Sequence, residues 1–215
     1  MAKAVESSSS GAHNGRSEGP AREVLLQAAS DLMIELGTPE VSLHAIARRA
    51  GVTAPLVKYY FGSKEGLLVA LVERDTSRSL AQLDGLNAMA IDPLAKLKIH
   101  IAGIVRTYSR YPYLVGLLNH LLRESRTEGS DQIKANFVIP LIDAQRRIIE
   151  EGVAAGQFRP IDPDKLYFII VGACQYLFSS RVAFAEIMDG KLSDEAFAHD
   201  FPSAVLDVIL NGLRA

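Results

Sequence analysis

Side chains that suit phosphate binding are concentrated in one stretch of the chain, residues 41–64. The stretch contains no aspartate or glutamate, although the whole chain of 215 residues has a net charge of −2. Its cationic side chains are Arg48, Arg49, Lys58 and Lys64. Tyr59 and Tyr60 add hydroxyl donors beside a lysine, and such donors also bind phosphate. A local positive patch on an acidic chain indicates a polyanionic partner at one site.

Two short helices separated by a glycine turn are predicted to carry these side chains. Ser42 can cap the first helix, and apolar residues recur at helical spacing from position 43 to position 50. Gly51 follows, where a helix favours a left-handed residue that only glycine adopts at low cost. Thr53 would cap the second helix, with Pro55 in its first turn. Helix, short turn and helix form the helix-turn-helix arrangement, whose second helix lies in the DNA major groove.

A third helix is predicted to begin at the end of the stretch. Ser63 would cap it, and Lys64 would add positive charge beside the free N–H groups of its first turn, which is favourable for phosphate. Its apolar residues continue to about Leu86. Such a helix would connect two domains, so that a shift at its far end moves the DNA-binding end.

Residues 42–68, SLHAIARRAGVTAPLVKYYFGSKEGLL, resemble the DNA-binding domain of the TetR/AcrR family of bacterial one-component transcription regulators. The shared pattern is a Ser or Thr cap, Ile-Ala-x-x-Ala-Gly-Val, Ser or Thr, an aromatic-rich run ending in Phe, and x-Ser-Lys-Glu-x-Leu. Lys58 stands where the family often has tyrosine, and residues 54–56, Ala-Pro-Leu, occupy its variable base-reading positions. The rest of the chain matches the family in its helical layout.

The resemblance and the charge together predict which side chains contact DNA. Lys64 is expected to contact phosphate, whereas Thr53, Leu56 and Tyr59 are expected to set the sequence preference. The full set of predicted DNA-binding residues is Ser42, His44, Arg48, Thr53, Ala54, Leu56, Lys58, Tyr59, Tyr60 and Lys64.

Each of these signals taken alone also has an ordinary structural explanation. Adjacent arginines are usually a solvated helix face, Phe61 is expected in the core, and His44 is equally compatible with a DNA contact and with an ordinary exposed position. The combination of spacing, turn and charge favours DNA. A helical interaction module that binds protein instead is the alternative, and its affinity for duplex DNA would not fall steeply with salt.

Catalytic motifs are not found in the sequence. It has no Gly-x-Ser-x-Gly elbow, phosphate-binding P-loop or GxGxxG fingerprint, and no paired acidic residues that frame a cleft. We therefore predict that the protein is not an enzyme, and the sequence indicates no cofactor.

Composition favours a globular protein of one or two domains. Hydrophobic residues make up 48% of the chain and charged residues 22%, which is ordinary for a soluble protein. No apolar run reaches the roughly 18 residues that span a bilayer, and the N-terminus lacks the apolar segment of a secretion signal. The single cysteine, Cys174, fits a reducing compartment. A cytoplasmic location is the expectation.

The predicted fold class is all-α, with an N-terminal three-helix helix-turn-helix domain followed by a helical ligand-binding and dimerisation domain. Residues 1–19 contain four consecutive serines and hardly any large apolar residue, so we expect a disordered tail. A helix over residues 21–36 would complete the DNA-binding domain, residues 20–66. Residues 67–215 would form the effector-binding and dimerisation domain that the resemblance implies.

Helical segments are predicted throughout the second domain. Asp92 and Pro93 begin one helix and Pro112 begins the next, while a third opens at Ser130 or Asp131. Pro140 falls inside this third helix, where it removes a backbone hydrogen bond and kinks the helix. A kink leaves room beside it, so the neighbouring Phe137, Leu141 and Gln145 are candidates for lining a cavity.

The last two helices are predicted to form a two-fold dimer interface. A helix over residues 164–188 is apolar on nearly every side, so one face can pack on its own domain while the other needs a second chain. Ser193 would cap the final helix, which also has a wide apolar stripe. One pair of helices from each subunit would make a four-helix bundle, as the resemblance also implies. A homodimer could read a palindromic operator.

The resemblance further implies a small effector that binds the second domain and releases DNA, with repression as the family default. The polar residues His100, Tyr108, Asn119, His120, Gln145 and Gln175 look buried, and apolar walls with few polar groups suit a hydrophobic ligand. No carboxylate or thiol stands at metal-ligand spacing from the two histidines, so no metal site is expected. The predicted effector-binding residues are His100, Ile104, Tyr108, Leu117, His120, Phe137, Leu141, Gln145, Cys174, Gln175 and Phe178.

Overall fold

The computed structural model describes residues 18–123, 127–184, 187 and 195–213. These residues form helices joined by short turns and contain no β-strand, so the predicted all-α class is confirmed. The helices in chain order are α1 (Glu18–Leu36), α2 (Leu43–Arg49), α3 (Ala54–Phe61), α4 (Lys64–Ala88), α5 (Pro93–Arg110), α6 (Leu114–Arg123), α7 (Glu128–Ile133), α8 (Ile139–Ala154), α9 (Pro163–Phe184) and α10 (Glu195–Leu213). Within the described part of the chain, no helix combines the length and apolarity needed to cross a bilayer.

Helices α1 to α3 pack on one another and on the first part of α4. The apolar face of each helix supplies fully buried side chains, among them Leu26, Met33, Ile46 and Val57. Helix α1 begins at Glu18, earlier than the predicted Ala21. The rest of the predicted disordered tail, residues 1–17, lies outside the described residues.

Helix α4 connects the N-terminal helices to the rest of the protein. It has 25 residues, which corresponds to a length of roughly 38 Å. Its first half is buried from Leu67 to Val72, and its second half is buried only at Leu83 and Leu86. The predicted long connecting helix is therefore present, and it ends at Ala88.

A π-helical turn, Lys134–Val138, joins α7 directly to α8. The Ile139 N–H donates to the Lys134 carbonyl five residues earlier instead of four. Pro140 follows immediately and has no N–H to donate. The break in the α-helical hydrogen-bond pattern therefore lies directly before the proline that was predicted to kink this helix. It takes the form of a widened turn, and π-turns of this kind often adjoin functional sites.

Helices α9 and α10 end the fold. Leu166, Ile170 and Cys174 on α9 are buried against the same subunit. The opposite side of α9 exposes Phe168 and Ile169. The predicted Ser193 cap and residues 185–186 and 188 of the predicted helix lie outside the described residues.

A buried polar cluster joins α1, α4 and the segment before α6. The Tyr113 hydroxyl is hydrogen bonded to Ser30 Oγ of α1 at 2.8 Å and to the Asp75 carboxylate of α4. Arg74 Nε donates to the other oxygen of Asp75 at 2.8 Å. Burial raises the pKa of Asp75 above its usual range, although the hydrogen bond from Tyr113 and the charge of Arg74 act in the opposite direction.

Candidate nucleic-acid interface and adjoining cavity

The turn between α2 and α3 has the geometry that its sequence predicts. Ser42 Oγ accepts a hydrogen bond from Ala45 N at 3.1 Å and so caps α2. Gly51 has φ of 70°, and Val52 N donates to the Ala47 carbonyl at 2.9 Å. This pairing satisfies the free carbonyls at the end of α2. The left-handed glycine and the helix-turn-helix arrangement are therefore both present.

Thr53 stands at the N-cap of α3 with extended backbone, but its hydroxyl makes no capping hydrogen bond. Pro55 lies in the first turn as predicted, and the Leu56 N–H donates to the Thr53 carbonyl at 3.0 Å. The Thr53 side chain is exposed. Its hydroxyl is therefore not required by the helix and is available to a ligand.

The predicted DNA-binding residues occupy an exposed or half-buried surface around α2 and α3. Tyr59 is 66% exposed, and its ring meets that of Tyr60 edge-on with centroids 5.2 Å apart. The exposed members of the set are Ser42, His44, Arg48, Thr53, Lys58 and Tyr59. The half-buried members are Ala54, Leu56, Tyr60 and Lys64.

Arg49 differs from the other cations of this region because it has an acidic partner. Its guanidinium lies 2.8 Å from the Glu35 carboxylate at the end of α1. Part of the positive charge counted in residues 41–64 is therefore compensated by a residue outside that stretch. Among the described residues, Arg48 and Lys58 have no such ion pair, so they carry the exposed positive charge of this face.

The start of α4 lies directly after α3. Ser63 Oγ accepts from Gly66 N at 3.0 Å, as predicted for a cap, and Lys64 is the first residue of the helix. Gly62 has φ of 70°, and Ser63 N donates to the Phe61 carbonyl at 2.7 Å. A side chain at position 66 would collide with that same carbonyl. Helix α3 is thus joined to α4 by a tight turn, in which a Cβ at position 66 would have to displace the Phe61 carbonyl.

Phe61 is half-buried at the end of α3. The Arg22 guanidinium of α1 lies 5.2 Å from the centroid of its ring, within the range of a cation–π contact. This contact ties the start of α1 to the end of α3, at the edge of the candidate interface.

An apolar cavity of about 390 Å³ lies between α4, α5 and the start of α8. Its volume falls in the range of roughly 300–1,000 Å³ that is typical of small-molecule sites. Phe137 from the π-helical turn and Leu141 from α8 close one side. The lining residues are Ser79, Leu80, Gln82, Leu83, Gly85, Leu86, Met89, Ile99, His100, Gly103, Ile104, Arg106, Thr107, Tyr108, Phe137 and Leu141.

His100 is the buried polar group of the cavity wall. Its Nε2 lies 3.1 Å from Gln145 Oε1, and both residues are almost completely buried. Burial lowers the pKa of His100 to about 4, although the hydrogen bond to Gln145 acts in the opposite direction. The imidazole is therefore neutral near pH 7, and Nε2 donates to the amide oxygen. Burial likewise raises the pKa of Tyr108.

Five of the predicted effector-binding residues line the cavity, namely His100, Ile104, Tyr108, Phe137 and Leu141. Gln145 lies behind the wall, bonded to His100. The other predicted members do not line it: Leu117, Cys174 and Phe178 are buried elsewhere in the core, and Gln175 is half-buried. Burial also raises the pKa of Cys174 to about 12, which leaves a neutral thiol.

The expected burial of Asn119 and His120 is wrong, because both side chains are exposed on α6. Helix α6 turns a different face to the core, the one that carries Leu114, Leu117, Leu118 and Leu121. His120 lines a separate depression with Lys64 and Glu65 at the start of α4. His120 therefore lies beside the start of α4 and does not line the cavity.

Residues that the sequence did not single out make up much of the cavity wall. Ser79 Oγ and Thr107 Oγ1 lie 2.7 Å apart and link α4 to α5. Leu80, Leu83 and Leu86 repeat at helical spacing on α4, which was a visible signal for a second apolar face. Arg106 and Gly103 on α5 had no comparable signal.

Comparison with known proteins agrees with this geometry. A family model described as "Bacterial regulatory proteins, tetR family" matches residues 25–71, and one described as "Tetracyclin repressor-like, C-terminal domain" matches residues 90–215. The HTH-type transcriptional regulator RutR of Escherichia coli (strain K12) is 28% identical over 193 residues, which cover 90% of each chain. The HTH-type transcriptional repressor NicS of Pseudomonas putida (strain KT2440) is 27% identical over 198 residues, with 90% of this chain and 92% of NicS covered.

Solved structures show the same fold. A transcriptional regulator of the TetR/AcrR family from Thermobifida fusca has a TM-score of 0.64 at 23% sequence identity. The match covers 92% of this chain and 100% of the other.

The fold and the exposed helix-turn-helix define a DNA-binding transcriptional regulator, and proteins of this class are not enzymes. Both halves of the chain match models of one family. The protein belongs to the TetR family of bacterial regulators.

Proposed function

We propose that the protein is a homodimeric repressor that binds a palindromic operator and is released from it by a small, largely hydrophobic effector. The proposal rests on two features of the structure, one near each end of α4. An exposed helix-turn-helix with free cations lies at its start, and an apolar cavity lies along its second half. NicS, a relative over most of the chain, is itself named a repressor.

The DNA contacts divide into two kinds. Arg48, Lys58 and Lys64 bind phosphates, because contacts of cationic side chains with the DNA backbone fix a protein on the duplex without reading sequence. Thr53, Leu56 and Tyr59 lie at the start and on the exposed side of α3 and contact base edges in the major groove. Ser42, His44, Ala54 and Tyr60 surround them and complete the interface.

The homodimer forms through α9 and α10. Phe168 is 72% exposed, Ile169 55% and Val208 74%. Large apolar side chains with this exposure mark an interaction surface, and a two-fold bundle of α9 and α10 from both subunits covers them. The two-fold axis of this bundle also relates the two helix-turn-helix units, which then match the two halves of a palindromic operator.

The effector binds in the cavity beside α4 and changes the position of the DNA-binding domain. We assign residues 20–66 to DNA binding, residues 67–215 to effector binding and dimerisation, and the whole protein to the cytoplasm. The cavity residues Ile104, Phe137 and Leu141 give the effector an apolar environment, and His100 with Tyr108 provides hydrogen-bonding groups.

A gel-shift titration at two salt concentrations tests the DNA-binding proposal. The purified protein is expected to bind a fragment from the region upstream of its own gene, or one selected from random sequence, more tightly than random duplex. Its affinity should fall steeply as salt rises, because bound phosphates release counterions. Equal affinity for all fragments, or an affinity insensitive to salt, favours the protein-binding interaction module instead.

Replacement of Lys64 by alanine should weaken binding to every duplex by a similar factor. The salt dependence of log K should become shallower by about one for each subunit, since one phosphate contact is removed. Lys98→Ala is a matched control, because Lys98 is exposed on α5 away from the helix-turn-helix. A changed sequence preference in Lys64→Ala contradicts a pure phosphate contact.

Replacement of Gly103 by leucine should fill the cavity without disturbing DNA binding. A Cβ at position 103 meets no atom within 4 Å, and the residue lies in the middle of α5. Uptake of the neutral apolar dye Nile red should fall by roughly tenfold, while affinity for the selected fragment stays within about twofold. Gly103→Ala should give an intermediate loss of dye binding. Undiminished dye binding in the leucine variant shows that the dye binds elsewhere.

A further inference from the structure

The lining of the cavity contains no acidic residue, and Arg106 is the one charged side chain among the described residues that form it. His100 is the other ionisable base, and its buried imidazole is neutral. The electrostatics of the site at neutral pH therefore come from Arg106. This gives the cavity a chemical preference beyond apolarity.

Arg106 lies at the open edge of the cavity. It is exposed to solvent and also lines the cavity, as do Gln82, Met89 and Ile99. Within the described part of the chain, the Arg106 guanidinium forms no ion pair and no side-chain hydrogen bond. Its five N–H donors are thus available to a ligand, in the planar geometry that matches a carboxylate.

Most of the inner polar groups of the cavity are hydrogen bonded to one another or to the backbone. Thr107 Oγ1 donates to the Gly103 carbonyl at 2.9 Å, so Ser79 donates its own proton to Thr107 across the 2.7 Å contact. His100 donates to Gln145. The Tyr108 hydroxyl also lines the inner wall, and because burial raises its pKa it is a neutral donor. The inner wall therefore carries no positive charge, and charge favours an anionic group at the rim, beside Arg106.

We propose that the effector is an amphipathic monoanion, with its carboxylate on Arg106 at the rim and its apolar body against Leu83, Leu86, Ile104 and Phe137. This inference rests on the proposed function of the cavity as the effector site. A cationic amphiphile is disfavoured, because it meets Arg106 and no carboxylate in the lining. A neutral one gains the apolar contacts but not the charge-assisted hydrogen bonds.

Titration calorimetry with three probes of equal chain length tests the charge preference. Decanoate, decan-1-ol and decylamine carry a negative, a neutral and a positive head group at neutral pH. Decanoate should bind the wild-type protein roughly tenfold more tightly than decan-1-ol, and decylamine should bind more weakly than either. Arg106→Gln should remove the advantage of decanoate and leave decan-1-ol unchanged, whereas Arg106→Lys should keep part of it.

Arg147→Gln is the matched control, since it removes the same charge from an exposed position of α8 that does not line the cavity. It should retain the preference for decanoate. Equal affinity for decanoate and decan-1-ol, or a preference that survives Arg106→Gln, overturns the inference. Failure of all three probes to bind also overturns it.

The same probes in a gel-shift assay separate this inference from the proposed function. If all three release DNA equally, the cavity remains an effector site and the preference for an anion is wrong. If decanoate binds through Arg106 but leaves DNA binding unchanged, the charge preference stands and the proposed effector function fails.

Discussion

An alanine at position 66 should reduce DNA affinity by roughly tenfold or more, although Gly66 lies outside the predicted contact surface. Its Cβ would lie against the Phe61 carbonyl oxygen, closer than van der Waals contact permits. Backbone atoms cannot rotate away, so the turn between α3 and α4 must open. Overpacking of this kind lowers the stability of the native arrangement by about 1–3 kcal/mol. Fewer molecules then hold α3 in the position that binds DNA, and the apparent affinity falls in proportion to that fraction.

The measurement combines urea unfolding with gel-shift titration on a fragment selected from random sequence. Gly85→Ala in the same helix is the matched control, because a Cβ there meets no atom within 4 Å. That control should be stabilised by about 0.5–1 kcal/mol, as alanine is favoured over glycine inside helices. Equal stability gains in the two variants would show that the turn tolerates a side chain.

The stability of the wild-type protein should fall as the pH drops below 6.5, and His100 should account for much of the loss. Its pKa is lowered to about 4 in the folded protein by burial, from 6.5 in the free side chain. Between these values the unfolded chain binds the proton and the folded protein does not, so acid favours unfolding. For one proton, the free energy of unfolding falls by about 1.4 kcal/mol for each pH unit below 6.5. At about pH 5, His100 should therefore have lowered the free energy of unfolding by roughly 2 kcal/mol.

Urea unfolding of wild type and His100→Gln over this pH range measures the effect. The wild type should lose more stability than the variant as the pH falls, since glutamine keeps hydrogen-bonding groups but does not titrate. His120→Gln removes an exposed imidazole from α6 and should keep the wild-type pH dependence. Parallel stability curves for wild type and His100→Gln would contradict a neutral, buried His100.

The helix-turn-helix could be predicted in detail because its determinants are local. The caps at Ser42 and Ser63 and the turn at Gly51 depend on neighbours a few residues away, and each has the expected geometry. The partner of Arg49 could not be predicted in this way. Glu35 belongs to another helix, and only the packing of α1 on α2 brings the two side chains together.

The cavity was predicted less completely, since a cavity is the gap between surfaces that pack from distant parts of the chain. Pro140 correctly indicated where α8 leaves space, and Phe137 and Leu141 line it. The sequence does not predict the α4 side of the wall, because the length and position of α4 indicate a connecting helix. The exposure of His120 could have been predicted from the sequence, because the spacing of the leucines on α6 already places position 120 on the outer face.

The buried cluster around Tyr113 has a consequence for any movement between the two ends of the molecule. The Tyr113 hydroxyl, just before α6, is hydrogen bonded to Ser30 of α1 and to Asp75 of α4. A small shift of this residue relative to α4 would remove one hydrogen bond from the buried Asp75 carboxylate. Such a loss at a buried charge is costly. Intermediate positions are therefore penalised, and the protein should switch between discrete arrangements instead of bending gradually.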